Sequence, residues 1–383
     1  MTKDVIIVGG GVIGCTIALR LAHAGLKVAI IERGRIGCEA SRAAAGMLSP
    51  QAESAEPGPF LDLCLRSRAM YREFAELLKE MSGIDIEYRD EGTLCVGLAG
   101  EDPKRIARWA SWQKTAALPL EELTASDIAA LEPAITQLAT RAVFVPGDHQ
   151  VENRRLMDAL DAAIRQAGVE VIEGAEVAAL IIDGGKAVGI ICNDARMHAG
   201  AVVVAAGSWS SRLLQPTGLR LRVMPARGQM LAVRGAATPL SHVLHSSRVY
   251  IVPRRDGRLV IGATVEYVGF DKAVTAGGIR GLLDAAIEMV PSLADSEIVE
   301  IWAGFRPDTE DHLPVIGPCE IVNLYLATGH FRNGILLAPV TAELLAQCVI
   351  QQTIPDQLRP FHINRFDEIA IAGSIQGAIS SPL

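Results

Sequence analysis

The chain opens on a short apolar run, Val5 to Val8, that ends in three consecutive glycines. Ile13, Ile17, Leu21 and Ala24 then recur at helical spacing, and after Gly25 a second apolar run covers Val28 to Ile31. Strand, helix and strand within about thirty residues form the unit from which parallel sheets are built. Leu61, Leu65, Met70, Phe74 and Leu77 mark a helix over Phe60 to Met81. Ile86 to Leu98 reads as short strand-like stretches, followed by helices near Lys104 to Thr115 and Ala125 to Leu131.

Arg155 to Ala167 returns to helical periodicity. The apolar runs Val169 to Ile172 and Ala201 to Ala206 then read as further buried strands of the first sheet. Between Leu219 and Glu300 alternation dominates, as in Leu259 to Thr264, and predicts a second, more antiparallel unit. Leu324 to Thr328 reads as a strand and Gly334 to Ile350 as a helix.

The expected fold class is therefore α/β (α+β). A Rossmann-like domain with a parallel sheet is assembled from residues 1–85, 145–220 and 303–365. A smaller, largely antiparallel substrate-binding domain comes from 86–144 and 221–302, and the small-residue tail 366–383 is peripheral.

Composition narrows the partners. A 383-residue chain that is 50% hydrophobic can bury a sizeable core. Its net charge of −8 leaves no basic surplus to neutralise a phosphate backbone, so nucleic acid is not an expected partner. Seven cysteines are scattered without a C-x-x-C pair or a zinc-type cluster, which reads as reduced thiols in a cytoplasmic protein. Lys3 precedes an apolar stretch, but glycines interrupt it and Arg20 ends it short of a membrane span.

Gly9-Gly10-Gly11-Val12-Ile13-Gly14 fits G-x-G-x-x-G at a strand-to-helix junction. Gly9 permits the tight turn, Gly11 lets a pyrophosphate approach the backbone at Val12 and Ile13, and Gly14 lets helix and strand pack closely. Glu32 ends the second strand, eighteen residues after Gly14, where a carboxylate can accept from ribose hydroxyls. These features point to an adenine dinucleotide. They leave FAD and NAD both open, while the acidic Glu32 disfavours NADP.

Further motifs decide between them by resemblance. Ser41-Arg42-Ala43-Ala44-Ala45-Gly46-Met47-Leu48, the Ala205-Ala206-Gly207 turn, Trp302-Ala303-Gly304-Phe305-Arg306-Pro307 and Asp311-His312-Leu313-Pro314-Val315-Ile316-Gly317 stand in the order and spacing of the D-amino acid oxidase superfamily of flavoproteins. Within it the chain most resembles the glycine oxidases of thiamine biosynthesis, up to about residue 365.

The resemblance implies FAD as cofactor. Ala44, Ala45, Gly46 and Met47 would lie beside the isoalloxazine ring. The loop Gly329 to Gly334, with His330, Phe331, Arg332, Asn333 and then Ile335, would lie at the pyrimidine end. Arg33, Val177, Ala206 and Gly207 complete the implied cofactor contacts. There is an independent reason for the second placement: the helix from Gly334 could turn its positive end to the flavin edge where negative charge gathers on reduction.

By the same resemblance Tyr250 and Arg306 hold a substrate carboxylate, with Arg332 a second pocket arginine and Met47 beside them. Arginine suits this because its planar fork matches a carboxylate. Tyr250 and Met47 read equally as core residues on the sequence alone. The chain departs from the family at Arg248, where a histidine is expected, and this puts the substrate range in doubt. No cysteine falls in residues 300–310, where relatives of the sarcosine oxidase type attach FAD, so noncovalent FAD is expected. His330, Asp311 and His312 lack metal-ligand spacing, and no metal is expected.

The implied reaction is dehydrogenation of a small amino acid (glycine, sarcosine or a small D-amino acid) to an imine or oxo acid, with ammonia and hydrogen peroxide formed and molecular oxygen as acceptor. A homo-oligomer, dimer or tetramer, is compatible with this. A quinone-linked dehydrogenase of D-amino acids or a hydroxy acid, and a noncatalytic flavin-binding module, are the competing readings.

Overall fold

The computed structural model describes residues 2–98, 103–235 and 239–366, so the expected peripheral tail lies, beyond Phe366, outside the described residues. Lys3–Val8 sits inside a mostly parallel sheet, between Ala195–Val204 and Val28–Ile31. Leu324–Thr328 adds beyond Ala195–Val204, and Glu170–Ile172 beyond Val28–Ile31. Val315–Pro318 closes one edge in the antiparallel sense.

The unbroken apolar run of the first strand follows from this central position. Val5 and Ile7 face one core, and Ile6 and Val8 face another. The first core takes in the helices Val12–His23, Pro59–Ser82, Asn153–Gln166 and Gly334–Gln351. The last of these is apolar on every side because it is buried between neighbours.

Two features escape the sequence pattern here. Val177–Asp183 and Lys186–Cys192 form an antiparallel hairpin on Ala195–Val204. Val177 to Ile182 and Val188 to Cys192 are apolar runs that the sequence reading leaves unassigned. Ala276–Met289 is a helix in a stretch expected to hold strands. Glycines weaken its intrinsic propensity, but the Thr275 side chain accepts from Gly278 N at 3.1 Å. Leu282, Ala285, Ala286 and Met289 then bury its inner face.

The second sheet has eight strands, all paired antiparallel except Val243–His245 with Thr93–Gly97. Its edge strand, Glu297–Thr309, runs unbroken through the expected boundary at residues 302–303 and pairs along Val223–Arg234. One row across this sheet reads His245, Tyr250, Gly262, Met230, Trp302 by direct cross-strand pairing. Directly opposed residues share a face, so this row is presented as a unit.

Candidate functional site

The glycine turn has the local geometry its spacing predicts. Gly9 has φ +109, and a side chain there would run into the Ala205 carbonyl. A Cβ on Gly14 would meet the Gly9 carbonyl, so Gly14 serves the close packing of helix on strand and does not itself line the cavity. At Gly11 only Ser41 Oγ comes near, at 3.3 Å, which leaves the backbone open. Val12 N donates to Ser41 Oγ at 2.9 Å, so a residue 29 positions away caps the first helix.

Glu32 has a structural role that its spacing does not predict. Its carboxylate accepts from Gly10 N and Gly34 N, each at 2.8 Å, and so straps the turn together from beneath. It also lines the cavity, with lone pairs left for a ligand hydroxyl.

A cavity of about 610 Å³ takes in this corner and one face of the second sheet. Every expected site residue except Gly14 lines it. Arg33 lies 3.5 Å over the Trp209 ring and pairs with Glu39 at 2.9 Å. Val177, Ala206 and Gly207 close the adjacent wall.

The segment 43–47 crosses between the two sheets. Trp302 Nε1 donates to Ala43 O at 3.0 Å, and a Cβ on Gly304 would stand 2.5 Å from Ala43 Cβ. Gly46 adopts φ +71 with its Cα against the Val151 carbonyl, a place where no side chain fits. Met47 packs with Ala45, Met230, Tyr250 and Trp302.

Opposite, the closing helix begins at Gly334 with no side-chain cap, and Gly334 and Ile335 line the cavity. The positive end of this helix thus faces the cavity, where it suits a ligand's acceptors. Phe331, at φ 45, stacks on His312 with ring centroids 5.2 Å apart. His330 is buried, bonds Thr341 Oγ1 at 3.1 Å, and is held down to about 3 by that burial.

Arg306 and Tyr250 meet on the sheet face. Arg306 Nη1 donates to Thr264 O at 3.0 Å, and among the described residues no carboxylate pairs with it. Tyr250 Oη lies 3.8 Å from Met230 Sδ, and burial raises its pKa against the opposing pull of Arg306. Glycines make the room: a Cβ on Gly262 would lie 2.5 Å from the Tyr250 hydroxyl, and one on Gly228 2.6 Å from Arg306 Cζ.

Arg332 is different, because Glu53 answers its charge at 3.4 Å. His245 Nε2 stands 3.6 Å from the same carboxylate. Burial alone would raise the Glu53 pKa, but hydrogen bonding and charge from His245, with Arg332, hold it at about 2. Arg248 also lines the cavity and pairs with Glu288 of the helix Ala276–Met289, so its charge is answered too.

Sequence reasoning missed Ser41 as the cap, Glu53, His245 and the Trp209 shelf. Ser41 stood inside a quoted motif, but its partner is remote. His245 faces the site only through its register with Tyr250.

The arrangement suits an adenine dinucleotide. A helix N-terminus, a glycine cradle and a carboxylate meet at one end, and a second helix N-terminus and the Arg306 guanidinium line the rest of the cavity.

Comparison with known proteins agrees. Residues 4–348 match the family described as DAO, FAD dependent oxidoreductase. The chain is 40% identical over 374 residues to the bifunctional protein ThiO/ThiG of Trichormus variabilis, covering 97% of this chain and 56% of that protein. It thus spans about half the length of these bifunctional relatives. Against a glycine oxidase of Geobacillus kaustophilus it is 39% identical over 366 residues, covering 94% and 97% of the two chains. The crystal structure of glycine oxidase from Geobacillus kaustophilus superposes with a TM-score of 0.91 at 38% identity, covering 95% of this chain and 99% of that one.

Proposed function

Because the chain belongs to the DAO family of FAD-dependent oxidoreductases, we propose that it is an oxidase of a small amino acid, with glycine the first candidate, that serves thiazole formation in thiamine biosynthesis. The observation that carries this reading is Arg306: a guanidinium on the cavity wall, beside the Tyr250 hydroxyl, with no carboxylate of the described chain to neutralise it. A carboxylate brought by the substrate would complete the pair in bidentate fashion.

The residues present fit FAD. Gly9 and Gly11 bare the backbone for a pyrophosphate, and the first helix directs its N-terminus there. Glu32 faces the ribose position, and the segment Ala44–Met47 and the first turn of the helix from Gly334 flank the ring position. When bound, FAD supplies the two-electron chemistry, taking a hydride equivalent from the substrate α-carbon and passing the electrons to oxygen.

The chain supplies placement. Arg306 and Tyr250 fix the carboxylate, Gly228 and Gly262 keep their tips in position, and the row Tyr250, Met230, Trp302 gives the α-carbon an apolar floor. On the second-sheet side of the cavity Arg332 stays engaged with Glu53 and Arg248 with Glu288, which leaves Arg306 to meet a carboxylate and suits a monocarboxylic substrate. The products would be an imine or oxo acid with ammonia and hydrogen peroxide. The two sheets then correspond to a cofactor-bearing and a substrate-bearing unit. A cytoplasmic location, noncovalent FAD and assembly into a dimer or tetramer complete the reading.

The test is turnover by FAD-loaded protein offered glycine, sarcosine, D-alanine, D-proline and larger D-amino acids, with peroxide and ammonia measured together. Peroxide from the small members supports the reading; none from any amino acid rejects it.

A further inference from the structure

Arg254 follows the strand Tyr250–Pro253, is 7% exposed, and does not line the cavity. Its guanidinium donates to Ala45 O at 2.7 Å, to Val151 O at 2.8 Å and to Asn153 Oδ1 at 3.2 Å. Asn153 in turn donates to Ser41 O at 2.9 Å and Arg42 O at 3.0 Å. One buried side chain therefore ties the strand that carries Tyr250 to the segment that faces the cavity.

Among the described residues no carboxylate pairs with this cation; Glu152, on the chain beside it, lies 3.9 Å from Arg258 instead. Burial pushes the guanidinium down to about 10, with Glu152 opposing from a distance. Arg254 Nε finds no acceptor. A neutral amide could serve carbonyls at a much lower desolvation cost than a cation, unless a negative charge answers the cation elsewhere.

The Ala45–Gly46 peptide shows where. In a trans peptide the N–H points opposite to the carbonyl, so Gly46 N–H is directed away from Arg254. Gly46 lines the cavity, and its N–H meets no acceptor among the described residues.

We propose that Arg254 is a positioning residue for the flavin: through the Ala45–Gly46 peptide it fixes the segment 44–47 and sets a positive charge behind the ring position that this segment flanks. The buried cation then favours reduction, because its counter-charge arrives with the electrons. This holds for any substrate, since it rests on the cofactor alone.

The experiment equilibrates FAD-loaded protein with a reference redox dye and reads the ratio of reduced to oxidised flavin. Arg254→Gln keeps a donor and loses the charge, so the ratio falls about tenfold, while Arg254→Lys keeps it within about threefold. Asn153→Ser loosens the same segment without touching the charge; FAD binds more weakly and the ratio again stays within about threefold. An unchanged ratio in Arg254→Gln overturns the proposal, and so does an equal fall in Asn153→Ser, which would make the effect one of packing. Should Arg254→Gln not fold or not hold FAD, Arg254→Lys decides: a held ratio supports the charge and a tenfold fall overturns it.

Discussion

Gly228 and Arg306 lie on paired strands, and the space that a Cβ on Gly228 would fill is taken by the Arg306 guanidinium, with Cζ 2.6 Å from that position. The absence of a side chain at one residue sets the place of the other. Gly228→Ala should therefore displace a flexible side-chain tip without breaking the strand. Displacement of about 1 Å in a substrate-orienting group costs on the order of 10²-fold in turnover. The expected outcome is a kcat/KM lower by about that factor with unchanged FAD content and Tm. Normal kinetics would show that the position of Arg306 is not what orients the substrate.

One Glu32 oxygen holds Gly10 N of the glycine turn and the other holds Gly34 N just past the second strand, and the carboxylate also lines the cavity. Glu32→Ala should weaken FAD binding by about 1.5–3 kcal/mol and also lower the stability of the FAD-free protein, because one buried and one partly buried donor lose their acceptor. Equilibrium dialysis and urea unfolding of the FAD-free protein check the two parts separately. Weaker FAD binding with an unchanged unfolding midpoint would assign the carboxylate to the ligand alone.

Much of this site was legible in the sequence, and the rest was hidden for reasons of distance. The Gly9 to Gly14 turn and Glu32 are local signals, because strand, turn and helix follow one another without interruption. Arg306 and Tyr250 were found by resemblance, and their meeting depends on the register of Glu297–Thr309 and Tyr250–Pro253 with strands between them. No local pattern encodes that register. Glu53 sits in a loop without periodicity, and what brings it to Arg332, 279 positions away, is the packing of that loop against Asp148. The helix Ala276–Met289 was hidden because its glycines argue against helix, while its burial decides for it.

Asp148 gives the stability a definite pH dependence. It is fully buried, and burial raises it to about 7 although it accepts from Ala52 N at 2.8 Å and Gln51 N at 3.1 Å. A carboxyl raised above its unfolded value of about 3.9 contributes fully below that pH, and its contribution is lost as pH rises towards 7. His330, held at about 3, acts in the opposite sense, contributing above its unfolded value and losing that contribution as pH falls. The Asp148 part is therefore read as the difference between wild type and Asp148→Asn. The wild type should lose stability relative to Asp148→Asn by up to roughly 1.4 kcal/mol per pH unit between about pH 4 and 7. Parallel urea midpoints across that range would mean that Asp148 is not buried as a neutral acid.

The most direct test of the account is anaerobic mixing of FAD-loaded protein with glycine, following loss of the oxidised flavin absorbance in wild type and in Arg306→Ala. Breaking a partly buried carboxylate–guanidinium pair costs roughly 3–5 kcal/mol, equivalent to about 10²–10⁴ in rate. Wild type should be bleached rapidly, and Arg306→Ala, with the same FAD content, slower by that factor at subsaturating glycine. A wild-type flavin that glycine and the other small amino acids leave oxidised, or bleaching of Arg306→Ala within about threefold of wild type, would contradict it.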